Sequence, residues 1–351
     1  TDRRFSIEDE QDLCATPTGQ VTTSLGSDTP TSSNIKRFGR IAPPRPNLAG
    51  EADLDSLRLR VRKDVLALSR YESSQAPLNI RRFGTLQRDS YDIEQLVYDA
   101  SRGRYVAALL CRPTRPDSRK TAVVYVDQMG RFAALEEGAG GDVLAKAGYT
   151  VLALDVSGAS GTVLEPGNPS GLPGTNQDVA WLALMVGRTT VGLQMEDIIR
   201  GLDVLREQGL LDGGRALGFG RGLAAVAMLH AAAIDLRIAG VAIENSLISF
   251  RSIAETPIHR GIFQTVIPNV LGKYDLQDLV AAIAPRPTWL VNPRSPLDQP
   301  ARLPTIESHY GYAREAYRAA RAEAALHLGL RRPDETAASA VAWLASHLQH
   351  P

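Results

Sequence analysis

The sequence predicts an α/β protein: a mostly parallel, doubly wound sheet with antiparallel strands at its start and an N-terminal extension before them. Three observations carry this. From Lys120 onward, short and almost wholly apolar runs alternate with helical patterns, as buried parallel strands do. Before that point, runs with apolar residues at alternate positions read as antiparallel strands. No repeat of 20–50 residues is visible, which excludes a solenoid or a propeller.

The elements follow in order. Residues 1–50 have little to bury; TPTGQVTTSLGSDTPTSSN over 16–34 and APPRP over 42–46 predict an extended or loosely ordered segment. Residues 51–118 predict a helix followed by edge strands. In the helix, Leu54, Leu57, Val61, Val65 and Leu68 form one apolar stripe. The strands are expected at Leu78–Leu86, Tyr91–Tyr98 and Tyr105–Cys111. Residues 119–351 predict the main domain. Its strands are expected at Thr121–Val126, Tyr149–Leu154, Arg215–Phe219, Ile238–Ile243, Thr288–Val291 and Leu326–Leu328. Helices fall near 142–147, 176–187, 191–208, 223–233, 305–322 and 334–348, and a Gly/Pro-rich loop spans 157–174.

Composition narrows the class. The chain has 351 residues, with 39 Lys+Arg against 39 Asp+Glu. Zero formal net charge gives no field to draw in nucleic acid or an anionic membrane surface. No apolar run approaches the roughly 20 residues of a membrane-spanning helix. Cys14 and Cys111 are too few for a disulfide scaffold or a four-cysteine zinc site, and pairing or two free thiols are both open. There is no H-E-x-x-H, no Cys-x-x-Cys and no phosphate-binding glycine loop ending in Lys-Ser/Thr, so no metal or cofactor is expected.

The strand–turn–helix at Gly218-Phe219-Gly220-Arg221-Gly222 has the setting of a nucleophile elbow, G-x-S-x-G. Outer glycines permit the sharp turn and the close approach of helix to strand. The central position, expected to bear the nucleophile, is Gly220. With TAVVYVDQMG (121–130), AGYTVLALDVSGAS (147–160), GFGRGLAAVAMLHAAA (218–233), IAGVAIENSLISFRSI (238–253), APRPTWLVNPRSPLD (284–298) and AVAWLASHL (340–348), the chain resembles the α/β-hydrolase superfamily. More narrowly, it is similar to the acetyl xylan esterase-like carbohydrate esterases.

That resemblance implies a Ser-His-Asp triad, and the matching positions depart from it. Gly220 stands at the nucleophile slot and Ser295 at the acid slot, with Asp298 three residues on. The loop GLRRPDET (329–336), where the base is expected, contains no histidine, and His327 lies within a predicted strand. The oxyanion-side loop, often opened by His-Gly, begins here with Asp127-Gln128. The resemblance therefore implies a module without the usual triad, which binds carbohydrate or supports a neighbouring domain of a longer chain. It also implies secretion or a periplasmic location.

Four carboxylates are expected at the sheet's rim: Asp127, Asp155, Glu244 and Asp298. Such groups can work on a glycosidic bond when suitably spaced, bind a hard cation, or merely cap helices and pair with arginines. Asp155 is expected to fix its loop. Arg221, beside a helix start, could receive a carboxylate-bearing sugar or pair with a nearby acid. Gln128, Asp155, Arg221 and Asp298 are thus candidate ligand contacts. The alternative function is a carbohydrate-active hydrolase, an esterase or glycosidase using rim residues away from the elbow. Its candidates are Glu244 with Asp127, or His259 or His309 as the base. His230 is expected to be packed, and Trp181, Trp289 and Trp343 to serve the core.

Overall fold

A computed structural model describes residues 7–101, 103–115, 121–159 and 176–348. Nine strands form one sheet in the order β1-β2-β3-β5-β4-β6-β7-β8-β9. They are β1 (Arg81–Gln87), β2 (Tyr91–Ser101), β3 (Arg104–Pro113), β4 (Val123–Asp127), β5 (Val151–Leu154), β6 (Ala216–Arg221), β7 (Ile238–Glu244), β8 (Thr288–Val291) and β9 (Leu326–Gly329). The first three strands are antiparallel, β3 meets β5 antiparallel, and the pairs from β5 through β9 are parallel. The mixed architecture is the one the sequence predicts. The loop expected over 157–174 lies, from residue 160 on, outside the described residues.

The helices in chain order are α1 (Val21–Leu25), α2 (Pro30–Ile41), α3 (Glu51–Ser69), α4 (Gly130–Ala134), α5 (Gly140–Lys146), α6 (Asn176–Met185) and α7 (Thr190–Glu207). They continue with α8 (Ala224–Ile234), α9 (Phe250–Glu255), α10 (Leu276–Ile283), α11 (Leu303–His309), α12 (Gly311–Ala319) and α13 (Ala337–Ser346). One face of the sheet packs under α3, α7, α8, α10 and α12, joined by Leu54, Ile198, Val226, Leu279 and Ala316. The other packs under α5 and α13, around Tyr125, Leu144, Phe219, Trp289 and Val341. Each strand between β4 and β8 is therefore buried on both sides, which is why its sequence is apolar without alternation.

Three expectations are corrected. The Ser/Thr/Pro-rich stretch within 1–50 contains α1 and α2 rather than extended chain alone. Thr29 caps α2 reciprocally with Ser32, and Pro30 opens it, so local capping overrides poor composition. Beyond α2, Arg45 grips Asp278 of α10 through Nη2–Oδ2 at 3.0 Å and Nε–Oδ1 at 3.2 Å, tying the segment to the main domain. The single helix expected over 305–322 breaks at Tyr310 into α11 and α12. Trp181 is exposed on α6, its ring 6.4 Å from that of Phe263.

Cys14 is exposed and Cys111 buried in β3, and both are free thiols. Burial pushes the Cys111 thiol up to about 12, which keeps it protonated and inert. His230 is packed as expected. Its Nδ1–H donates to Val226 O at 2.7 Å, and its Nε2 accepts from Tyr274 O–H at 3.1 Å. Burial holds this imidazole down, to about 4. The unfolded chain then takes up a proton below about pH 6.5 that the folded chain refuses. Stability from this group is complete above about pH 6.5 and lost as pH falls to about 4. Urea unfolding from pH 7 to 4 should show a His230→Gln variant with a flatter decline than the parent chain. Parallel curves would dismiss the assignment.

Candidate functional site

Three adjacent strands end in register: Asp127 of β4 faces Arg221 of β6, which faces Glu244 of β7. Neighbours in a parallel ladder point to the same face, so the three side chains form a row above Tyr125, Phe219 and Ala242. Beyond this row lies a cavity of about 410 Å³. Asp127, Gln128, Arg221, Gly222, Arg260, Gln264, Arg294, Ser295 and Asp298 contribute to its wall. Its position outside the carboxyl ends of parallel strands is where such sheets bind ligands.

The strand does not turn at Gly220. β6 continues through Arg221, and the residue with a left-handed backbone is Gly222, at φ +66°. The expected placement of the elbow tip is thus two residues early. Gly220 instead serves the close approach of α8: a Cβ there would stand 2.7 Å from the Ala225 Cα. At the tip, a side chain on residue 222 would strike Gln128, its Cβ within 2.8 Å of the Gln128 Cγ.

The amides around the turn are occupied. Gly222 N–H donates to Glu244 O at 2.9 Å. Leu223 N–H, the amide that follows the tip, donates to the Gln128 Oε1 at 2.9 Å. Met129 N–H, in the loop after β4, donates to the Asp127 Oδ1 at 2.9 Å. An acyl-transfer site aims two such amides, one after the nucleophile and one from a neighbouring loop, at a developing oxyanion. Here a carboxamide and a carboxylate of the chain itself hold them.

Asp127 is 2% exposed, and its Oδ2 stands 3.5 Å from Arg221 Nη1. Burial pushes its carboxyl above the ordinary range, while the Met129 amide and Arg221 pull the other way. Glu244 pairs with Arg331, which comes from the loop after β9. That loop, where the resemblance implies a histidine, supplies a guanidinium instead. Asp298 lines the cavity and pairs with Arg294. The Ser295 Oγ accepts from the amides of Leu297 and Gln299, both at 3.3 Å.

The other candidates lie apart. Asp155 is buried and bound to Arg131, accepting its backbone N–H at 2.6 Å, so it fixes the α4 loop and does not line the cavity. Glu244 is likewise absent from the cavity wall, which separates it from Asp127 as a working pair. His259 donates from Nε2 to Ile253 O at 2.8 Å and is exposed outside the cavity. His309 ends α11 away from it, with burial lowering its pKa. His327 sits in β9 with its ring stacked 3.8 Å from that of Trp289. Two cavity residues that sequence reading missed are Arg260 and Gln264. They belong to an irregular segment whose path has no periodic signal. No group of metal-ligating side chains occurs among the described residues, and no described helix is long and apolar enough to cross a membrane.

Sheet order, turn and cavity define an α/β-hydrolase-fold protein. Among solved structures it is similar to a Bacteroides fragilis protein assigned as an acetyl xylan esterase. The TM-score is 0.70, with 15% identity over 88% of this chain and 83% of that one. It is also similar to acetyl xylan esterase 1 of a Thermoanaerobacterium species, at a TM-score of 0.51 and 15% identity, covering 92% of this chain and all of that one. A glucuronoyl esterase of Teredinibacter turnerae gives a TM-score of 0.52 at 14% identity, covering 88% of this chain and 89% of that one. No protein-family model matches the chain, and no curated protein matches it by sequence. At these identities the likeness shows the fold.

Proposed function

We propose that this chain is a carbohydrate-binding module with the fold of the acetyl xylan esterases, working without a Ser-His-Asp triad. One observation carries the reading: the Gln128 carboxamide fills the turn at Gly222 and accepts the Leu223 amide. Space for a nucleophile and a donor for an oxyanion are both taken by the same side chain. Residue 222 brings no nucleophile, and the loop after β9 brings Arg331 to Glu244 where a base would stand. Gln128, Arg221 and Asp298 remain in the cavity wall as ligand contacts, and Asp155 acts behind them on the loop. A role beside another domain of a longer chain is compatible with this reading.

A screen on 4-nitrophenyl acetate, acetylated xylan oligosaccharides and methyl glucuronate should give no hydrolysis above a heat-denatured control. Titration calorimetry with xylan oligosaccharides should give saturable binding. Serine at the turn, as Gly222→Ser with Gln128→Ala to make room, should remain inactive, because no histidine lines the cavity among the described residues. Gly220→Ser should also remain inactive.

One observation favours a second reading, a hydrolase using rim residues. Asp127 is buried at the cavity, and burial raises its carboxyl above the ordinary range, the direction a general acid needs. Turnover of any screened substrate that vanishes in Asp127→Asn would replace the binding reading with this one.

A further inference from the structure

We infer that β1 is an interaction edge for a second copy of this chain, the two β1 strands pairing antiparallel about a two-fold axis at Thr85. β1 stands at one end of the sheet, and among the described residues it pairs with β2 alone. All of its residues are exposed, so neither face of the ribbon is covered. Phe83 and Leu86 are 66% and 53% exposed on it. An open edge with apolar side chains is a template for another strand, and folded proteins blunt such edges with proline, charge or a bulge. Here Arg81, Arg82 and the bulge between Arg82 and Gly84 blunt the first half only. Thr85-Leu86-Gln87 carries no charge, no proline and no bulge.

The backbone of that second half is free to pair. Arg88 N–H donates to Tyr91 O at 3.0 Å, which fixes the phase of the ladder. Bonded pairs alternate along antiparallel strands, so Leu86–Ile93 and Gly84–Gln95 exchange their bonds with β2. Thr85 and Gln87 fall between them, and their N–H and C=O groups point out of the sheet's edge. Thr85 set opposite the partner's Thr85 forms one such bonded pair on the two-fold axis, each N–H donating to the other's C=O.

Charge selects a second copy as the occupant and sets the register. Arg81 lies four residues before Thr85, and Asp89 four residues after it. Pairing about Thr85 brings each Arg81 opposite the partner's Asp89, so one contact gives two ion pairs. Neither residue has an ion pair within the chain among the described residues. Arg81 lies over the Tyr105 ring at 4.8 Å, and Asp89 is exposed in the turn after β1. Parallel pairing would set Arg81 against the partner's Arg81. In the antiparallel register Arg82 and the partner's Arg88 also come opposite, but each is already matched to a carboxylate of its own chain, Glu94 and Asp142. Leu86 falls beside the partner's Gly84, a position with open space around it.

Sedimentation equilibrium of the full chain, from low micromolar to near-millimolar concentration, tests this. The mean mass should rise with concentration from one chain toward two, because a single strand edge is a small contact and its dimer is reversible. Thr85→Pro removes an N–H that points away from β2, so it should spare the fold and raise the dimer dissociation constant by about tenfold or more. If that variant fails to fold by circular dichroism, the charges decide. Arg81→Asp and Asp89→Arg should each weaken the dimer about threefold to tenfold, and the two together should restore it. A chain that stays monomeric at every concentration overturns the inference and leaves the edge open to a foreign strand. A dimer that Thr85→Pro leaves unchanged, or single charge reversals without effect, overturns it in favour of another face. The cavity lies beyond β4, β6 and β7, with β2, β3 and β5 between β4 and the edge, so the outcome is independent of the binding reading.

Discussion

Gly222→Ala should lower the unfolding free energy by about 2–3 kcal/mol in the parent chain, and by only about 1–2 kcal/mol once Gln128 is alanine. Two costs combine in the parent. A Cβ at φ +66° strains the backbone by about 1–2 kcal/mol. It also expels Gln128, whose bond to Leu223 N–H is worth about 1 kcal/mol. The second cost disappears when Gln128 is already truncated. Urea-unfolding measurements on the four chains of the cycle give the coupling directly. Strict additivity would mean that Gln128 does not occupy the turn, and the basis for a site without catalysis would go with it.

Arg104→Leu should cost about 3–5 kcal/mol, because removing one partner leaves buried charge uncompensated. The Arg104 guanidinium pairs with both Glu196 and Asp197 of α7, carboxylates only 3% and 0% exposed. Burial already raises both carboxyls, with Arg104 opposing it. Without the guanidinium they rise further. A carboxyl whose folded pKa is raised binds its proton more readily folded than unfolded, so stability falls as pH climbs through that window. The deficit should therefore be greatest at about pH 7–8 and shrink as pH falls toward about pH 4, where the carboxyls of the folded chain take up protons. Thermal melts of parent and variant across this range check it. A deficit independent of pH would assign the loss to packing alone.

Much of the sheet was legible because buried parallel strands are written as short apolar runs. Thr288–Val291 is found where the sequence puts it, and the ends of most others shift by a few residues. The elbow was legible as a turn but not in its phase. Glycine at 218, 220 and 222 with Ala224 satisfies the small-residue pattern in two overlapping registers. Only the end of β6 decides between them, and strand ends are set by pairing with β4 and β7. Gln128 reads as a position in the oxyanion-side loop. Its reach across to Leu223 comes from Asp127 and Arg221 standing side by side, a long-range fact. Trp181 reads from sequence as a core residue yet is exposed, because an aromatic on an apolar helix looks the same on either face.

The glycines of the turn answer to packing and not to chemistry. A side chain at 218 would meet Met228, and one at 220 would meet Ala225, whatever residue occupies the tip. A lineage could therefore lose its nucleophile while the spacing of these glycines stays fixed by the helix that rests on them. That spacing thus reports the packing and not the presence of a nucleophile. The chemistry is decided at the tip itself and, on another strand's loop, at the residue that either clears the space above it or moves in.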